Sequence, residues 1–150
     1  MATASSRSRI SRASAARAVA RRLALQALYG WQLNPRPWQD VLAESLAGED
    51  APKADREYLQ RLLQSICTES DALDALLAGW VDIPAAQLDP IERCALWIGL
   101  QELRAQPGVP YRVVISESTG LARRFGATDG HKFVNAVLDR AARSLRPHEA

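Results

Sequence analysis

Apolar residues return every three to four positions through most of the chain, and no useful stretch alternates every second residue. That period belongs to amphipathic helices, so the chain is predicted to be all-α. A first helix is expected from Ser14 to Gln32. Its first half is basic, with Arg17 and Arg21 four apart on one face. Its second half, with Leu23, Leu25, Leu28, Tyr29 and Trp31, is apolar nearly all round, which suits a rod end buried among other helices. Asn34-Pro35-Arg36-Pro37 breaks the chain. Pro37 then opens a second helix carrying Trp38, Val41, Leu42 and Leu46. After a loop over residues 48–52, Leu59, Leu62, Ile66, Glu69, Leu73, Leu76 and Trp80 form a long seam with one polar exception. Asp89 is placed to cap the next helix, Pro90 suits its first position, and Glu92 completes a capping-box pattern. That helix has Ile91, Ala95, Leu96, Ile98, Leu100 and Leu103 on its apolar face, and Pro107-Gly108 ends it. Pro110 starts another, with Val114, Ser118, Leu121 and Phe125 in phase. The last helix is expected to bury Phe133, Val134, Val137, Leu138 and Ala141.

The expectation is a single-domain bundle of about six to seven helices, arranged as two packed helical subdomains. Residues 1–13, rich in Ser, Ala and Arg, have no core pattern and read as a disordered basic arm. Residues 14–146 form the helical domain, and residues 147–150 a disordered tail.

The turn between the last two helices is too specific to be filler. It reads Phe125-Gly126-Ala127-Thr128-Asp129-Gly130-His131-Lys132-Phe133. Gly126 suits a left-handed position just past a helix end. Thr128 or Asp129 can cap the next helix, and Gly130 lets the backbone approach something closely. His131 and Lys132 fall in that helix's first turn, where a cation opposes the helix dipole and helps only beside an anion. From the residues alone, a solvated helix start serves as well.

Net charge is only +2, but the charges are segregated. Residues 1–22 carry six Arg and no acid, residues 23–110 six basic against thirteen acidic groups, and residues 111–150 seven against four. Basic ends and an acidic middle point to two different partners. Arg presents a planar donor fork suited to phosphate, and a basic arm can wrap RNA. A solvated tail, or a mitochondrial transit peptide, has similar composition. A chain of 150 residues suits one sizeable core. Two cysteines, Cys67 and Cys94, both within helical patterns, favour a reducing cytoplasm over a disulfide framework.

Enzyme chemistry has little support. Two His and two Cys show no zinc-ligand spacing. Neither a glycine-rich phosphate loop nor a nucleophile elbow is present, so no cofactor, metal or catalytic residue is expected.

The turn, with its flanks Val109-Pro110-Tyr111-Arg112-Val113-Val114-Ile115 and Val137-Leu138-Asp139-Arg140, resembles the C-terminal signature of the NusB family of bacterial transcription antitermination factors. Leu25-Gln26-Ala27-Leu28-Tyr29, Asp55-Arg56-Glu57-Tyr58, Leu88-Asp89-Pro90-Ile91-Glu92-Arg93 and Ile98-Gly99-Leu100-Gln101-Glu102-Leu103 resemble other family segments in the same order. The resemblance covers roughly residues 15–146. Ser116 stands where the family usually has Asn, Gly120 interrupts a usually charged face, and Ala136 replaces a usual Gly.

The resemblance implies an adaptor that binds the boxA element of ribosomal RNA transcripts together with NusE, a small-subunit ribosomal protein, within the RNA polymerase antitermination complex. It implies RNA contacts at Arg17, Arg21, His131 and Lys132. Arg12, Arg22 and Phe133 are further candidates, although Arg7, Arg9 and Arg12 lie outside the match and Arg22 points almost opposite to Arg17. Asp129 is expected to cap its helix or to restrain RNA affinity by repelling phosphate. An acidic face would suit a basic ribosomal protein, with Glu92 and Glu102 as candidate docking residues. A monomer or weak homodimer is expected. Two rival readings are an accessory domain of an rRNA-modifying methyltransferase system and a helical scaffold that binds no RNA.

Overall fold

The computed structural model describes residues 2–150, with side chains from Ser8 onward. It holds six α-helices and two short 3-10 turns, with no strand among the described residues. The helices are α1 (Ala2–Leu33), α2 (Trp38–Leu46), α3 (Arg56–Leu77), α4 (Pro90–Ala105), α5 (Tyr111–Phe125) and α6 (Gly130–Leu145). The chain divides into two compact units, and the division falls inside α3, between Gln64 and Ser65.

In the first unit, α1 starts at Ala2 and not at Ser14. Nothing stops it earlier, because Ala and Arg are strong helix formers and neither Gly nor Pro occurs before Gly30. The arm expected to be unstructured over residues 1–13 is therefore helical where it is described, and residues 8–15 are exposed. Pro35 and Pro37 end the run. The indole of Trp31 donates to the Arg36 carbonyl at 3.0 Å, and the Arg36 guanidinium pairs with Glu44, which together fix the turn into α2. Ala20, Leu23, Ala24, Leu25 and Leu28 of α1 are buried, as are Val41 of α2 and Ala51 of the 3-10 turn Ala51–Lys53.

α3 keeps most of its expected seam, but the seam drifts. Leu63 and Leu77 are buried, whereas Leu76 and Trp80 are only half-buried. An α-helix turns a strict seven-residue repeat by about 20° per heptad, enough to bring these neighbours into the core.

The second unit is built around α4, which has no solvent face. Every residue from Cys94 to Leu103 is buried, including Gln101 and Glu102. α5 and α6 pack on α4 and on each other. Their close approach requires Gly99, where a Cβ would lie 2.7 Å from Leu138 Cδ1 and 2.9 Å from Ser118 Oγ. The cap at Asp89 is as expected: its carboxylate accepts from the N–H groups of Ile91 (3.0 Å) and Glu92 (3.1 Å).

The far end of α4 is held by a residue from the end of the chain. The Arg146 guanidinium donates to the carbonyls of Glu102 (3.1 Å), Leu103 (2.7 Å), Gln106 (2.9 Å) and Val109 (3.0 Å). Glu149 accepts from Arg146 and also from the Tyr111 N–H at 2.7 Å, at the start of α5. Residues 147–149 thus form a tied turn where the sequence suggested a loose tail. The unmet C-terminal carbonyls of α4 explain why the chain returns here. Lys lacks the planar fork that reaches four carbonyls at once. Arg146→Lys is therefore expected to cost about 2–3 kcal/mol, the scale of hydrogen bonds to a charged group. Urea unfolding measures this, and a loss below about 0.5 kcal/mol would show the clamp to be idle.

Candidate nucleic-acid interface

The basic stretch of α1 lies against the segment that enters α3. The Asp55 N–H donates to the Ala16 carbonyl at 3.0 Å, which anchors that segment to the helix. Asp55 also caps α3 by accepting from the Tyr58 N–H at 3.0 Å. Tyr58 is buried, with two guanidinium groups over its ring: Arg17 at 4.6 Å and Arg21 at 5.4 Å. The shared face expected for Arg17 and Arg21 is thus real, and its purpose is the aromatic ring.

Their roles differ. Arg17 is 42% exposed and faces Asp55 at 3.7 Å, so its outer edge remains open to a phosphate. Arg21 is only 3% exposed. Arg21, expected as a direct RNA contact, is thus withdrawn from solvent in the free chain. Arg22 pairs with Asp50 at 3.1 Å, and Arg12, exposed, donates to Ser8 Oγ at 2.8 Å. The Arg7 side chain lies outside the described residues.

In the second unit, the turn between α5 and α6 is set by contact with α4. Gly126 has φ −96° and ψ −173°, extended and not left-handed. Glycine is needed there for space, since a Cβ would lie 2.7 Å from the Ala122 carbonyl oxygen and 3.4 Å from Ile91 Cγ2. Gly130 approaches Glu92, whose Cδ would lie 3.1 Å from an added Cβ. The close approach read from the sequence therefore has a named partner on α4. Asp129 makes no capping hydrogen bond and instead pairs with Lys132 at 3.3 Å. Its carboxylate is spent on the neighbouring cation. Lys132 and Asp129 are both well exposed, whereas His131 and Phe133 are half-buried. Phe133 is thus not the core residue that its phase suggested.

Burial pushes the Glu92 carboxyl above the ordinary carboxylate range, and nearby Asp89 adds to the effect. Glu102 is fully buried, so it offers no docking surface within this fold. A single apolar stripe on α4 would leave it accessible, but the helix is covered all round from Cys94 to Leu103. Sequence reasoning also passed over Tyr58 and Asp55 as parts of the basic site. The adjacent exposed pair Arg123 and Arg124, with Arg124 5.0 Å from the Phe125 ring, was missed as well. The signal for that pair was two consecutive cations immediately before the glycine turn.

The NusB family model matches residues 18–143. The chain belongs to the NusB family. It is 42% identical over 133 residues to a transcription antitermination protein NusB of Idiomarina loihiensis, covering 89% of this chain and 96% of that protein. It is 45% identical over 135 residues to the corresponding protein of Alcanivorax borkumensis, covering 90% of each. A crystal structure of the antitermination factors NusB and NusE in complex with dsRNA has the same fold, with TM-score 0.73 and 23% identity over 85% of this chain and 96% of that one. The family match begins just after Arg17 and includes Arg21, Arg22 and the whole glycine turn. No described helix is long and apolar enough to cross a membrane.

Two outcomes follow from the site geometry. Arg21→Ala removes a buried cation from an aromatic face and leaves its packing space empty, so it is expected to cost about 2 kcal/mol. Arg17→Ala, on an exposed pair, is expected to cost about 1 kcal/mol or less. Equal losses in urea unfolding would contradict the division of roles. For Glu92, the folded state keeps its proton to higher pH than the unfolded chain does. Its contribution to stability is present below the unfolded value and lost as pH rises through the raised one. Glu92→Gln is expected to remove this fall in stability with rising pH, and an unchanged profile of urea midpoints would contradict the burial of this carboxyl.

Proposed function

We propose that this chain is an RNA-binding transcription antitermination factor. It binds the boxA element of nascent ribosomal RNA transcripts together with NusE, and the pair helps RNA polymerase pass terminators in the cytoplasm. The observation that carries this reading is the family match over residues 18–143, which takes in Arg21 and Arg22 of α1 and the turn with His131 and Lys132. Further support comes from the name shared by the relatives and from a fold neighbour crystallised with NusE and dsRNA.

The mechanism is recruitment, with no bond made or broken. Arg17 and Lys132 meet backbone phosphates, and Arg12 extends the track along α1. Each of Arg17 and Lys132 must exchange a carboxylate, Asp55 or Asp129, for the incoming phosphate. Arg21 acts indirectly, by holding Tyr58 beneath Arg17. His131 and half-buried Phe133 stand beside Lys132, where an unpaired base can stack. Phosphate contacts position the RNA, and unpaired bases carry the sequence information. The basic partner NusE suits the acidic middle of the chain, where Asp71 is exposed and Glu92 half-buried.

Filter binding with a boxA RNA oligonucleotide over a salt series tests the reading. For about three to five neutralised phosphates, log affinity is expected to fall against log salt with a slope of roughly −2 to −3.5. Absence of binding, or a flat salt dependence, would reject it.

A further inference from the structure

The basic residues of α1 are not all turned toward Tyr58. Arg22 points to the other side of the same helical stretch and meets the 3-10 turn Ala51–Lys53 that precedes α3. There, one carboxylate holds two cations from different parts of the chain. Asp50 Oδ2 lies 3.1 Å from Arg22 Nη2, and Asp50 Oδ1 lies 3.6 Å from Lys53 Nζ. A carboxylate whose two oxygens each face a separate cation occupies the place that two oxygens of a phosphodiester would take.

The frame of this trio is rigid. Ala51 is buried, and the turn packs against both α1 and α2. Pro52 fixes one φ angle, while the N–H groups of Lys53 and Ala54 donate to the carbonyls of Asp50 (3.0 Å) and Ala51 (3.1 Å). The backbone therefore presents Arg22, Asp50 and Lys53 in a set arrangement, and only side chains need to move. On the Lys53 side the carboxylate is held loosely. Asp50 is 45% exposed and Lys53 73% exposed, so water solvates the carboxylate once it swings away. The exposed Asp50–Lys53 pair is weak, whereas the Arg22 side chain is only 20% exposed. Two cations against one anion leave the trio with a net positive charge.

We infer that Arg22 and Lys53 form a further phosphate-binding subsite for RNA, which Asp50 closes in the free protein. This rests on the RNA-binding reading given above, and it adds a contact and a restraint to it. An incoming phosphodiester displaces the Asp50 carboxylate, bridges the two cations, and leaves Asp50 in solvent beside a like charge. Asp50 thereby limits affinity at this subsite. Because the ligand is backbone phosphate, the subsite does not distinguish one base sequence from another.

The experiment is filter binding of the full chain over a salt series, with a boxA RNA oligonucleotide and a scrambled single strand of equal length. The variants are Lys53→Gln, Arg22→Gln, Asp50→Asn and, as a charge control, Asp71→Asn. Lys53→Gln is expected to weaken both RNAs about two- to fivefold at low salt. It should also make the salt slope shallower by roughly 0.7, the value for one phosphate on a single strand. Arg22→Gln should act in the same direction. Asp50→Asn should tighten both RNAs, and by more than Asp71→Asn, which carries the same change of net charge. The gain from Asp50→Asn should vanish when Arg22 and Lys53 are both changed. Lys53 is largely exposed, so its variant reports on binding and not on folding. Binding by the wild type with unchanged slopes in Lys53→Gln and Arg22→Gln would overturn the subsite alone. Equal gains from Asp50→Asn and Asp71→Asn would overturn the restraint. No binding by the wild type would overturn both this inference and the function on which it rests.

Discussion

A helix without a solvent face dictates the order of the second unit. Burying ten successive residues of α4 leaves no water for its polar groups, so each must be met by the protein. Gln101 donates to Glu69 at 3.1 Å. The Trp97 indole donates to Asp74 at 2.9 Å, and Arg93 stacks on Trp97 while pairing with the same carboxylate. Asp89 closes the start of the helix, and Arg146 closes its end. The first turn of α4 then sets the glycine turn: Ile91 limits Gly126, and Glu92 limits Gly130. The position of Lys132 and His131 is thus inherited from a buried helix and does not depend on the loop's own rigidity.

In the first unit the same economy runs through cations. Arg17, Arg21 and Arg22 leave one helical stretch in different directions, and each finds a partner on residues 50–58. Arg21 is buried over Tyr58. Arg17 and Arg22 have exposed acidic partners, which a stronger anion can replace. Lys132 repeats this arrangement with Asp129 in the second unit. A basic surface that carries its own carboxylates is less prone to hold any polyanion indiscriminately, and a specific RNA must supply enough contacts to displace them.

Local features were legible in the sequence. The prolines that end α1, the Asp89 cap with Pro90, and the apolar phases of α5 and α6 each depend on residues within a turn or two of one another. What required the structure were pairings across long separations. Arg146 meets Glu102 forty-four positions earlier, and Arg22 meets Asp50 twenty-eight positions on. Periodicity placed Arg17 and Arg21 on one face but could not tell that both would lie over a ring from α3 while only Arg21 is buried. At Gly126 and Gly130 the sequence announced that glycine was needed. The reason is steric at Gly126, against the Ala122 carbonyl, while at Gly130 an added Cβ would crowd only the Glu92 side chain, and this is visible only once the helices are packed. Asp129 suited a cap by type and position, but Lys132, three residues on, took the carboxylate.

The central claim is that this chain joins two partners of opposite charge without making them compete. The most direct measurement is a titration of NusE into labelled protein with and without boxA RNA, paired with an RNA titration with and without NusE. If the chain is such an adaptor, each partner strengthens the other by the same factor, typically about 5–150-fold for coupled sites. Displacement of RNA by NusE would contradict the account, as would a NusE affinity that is indifferent to RNA.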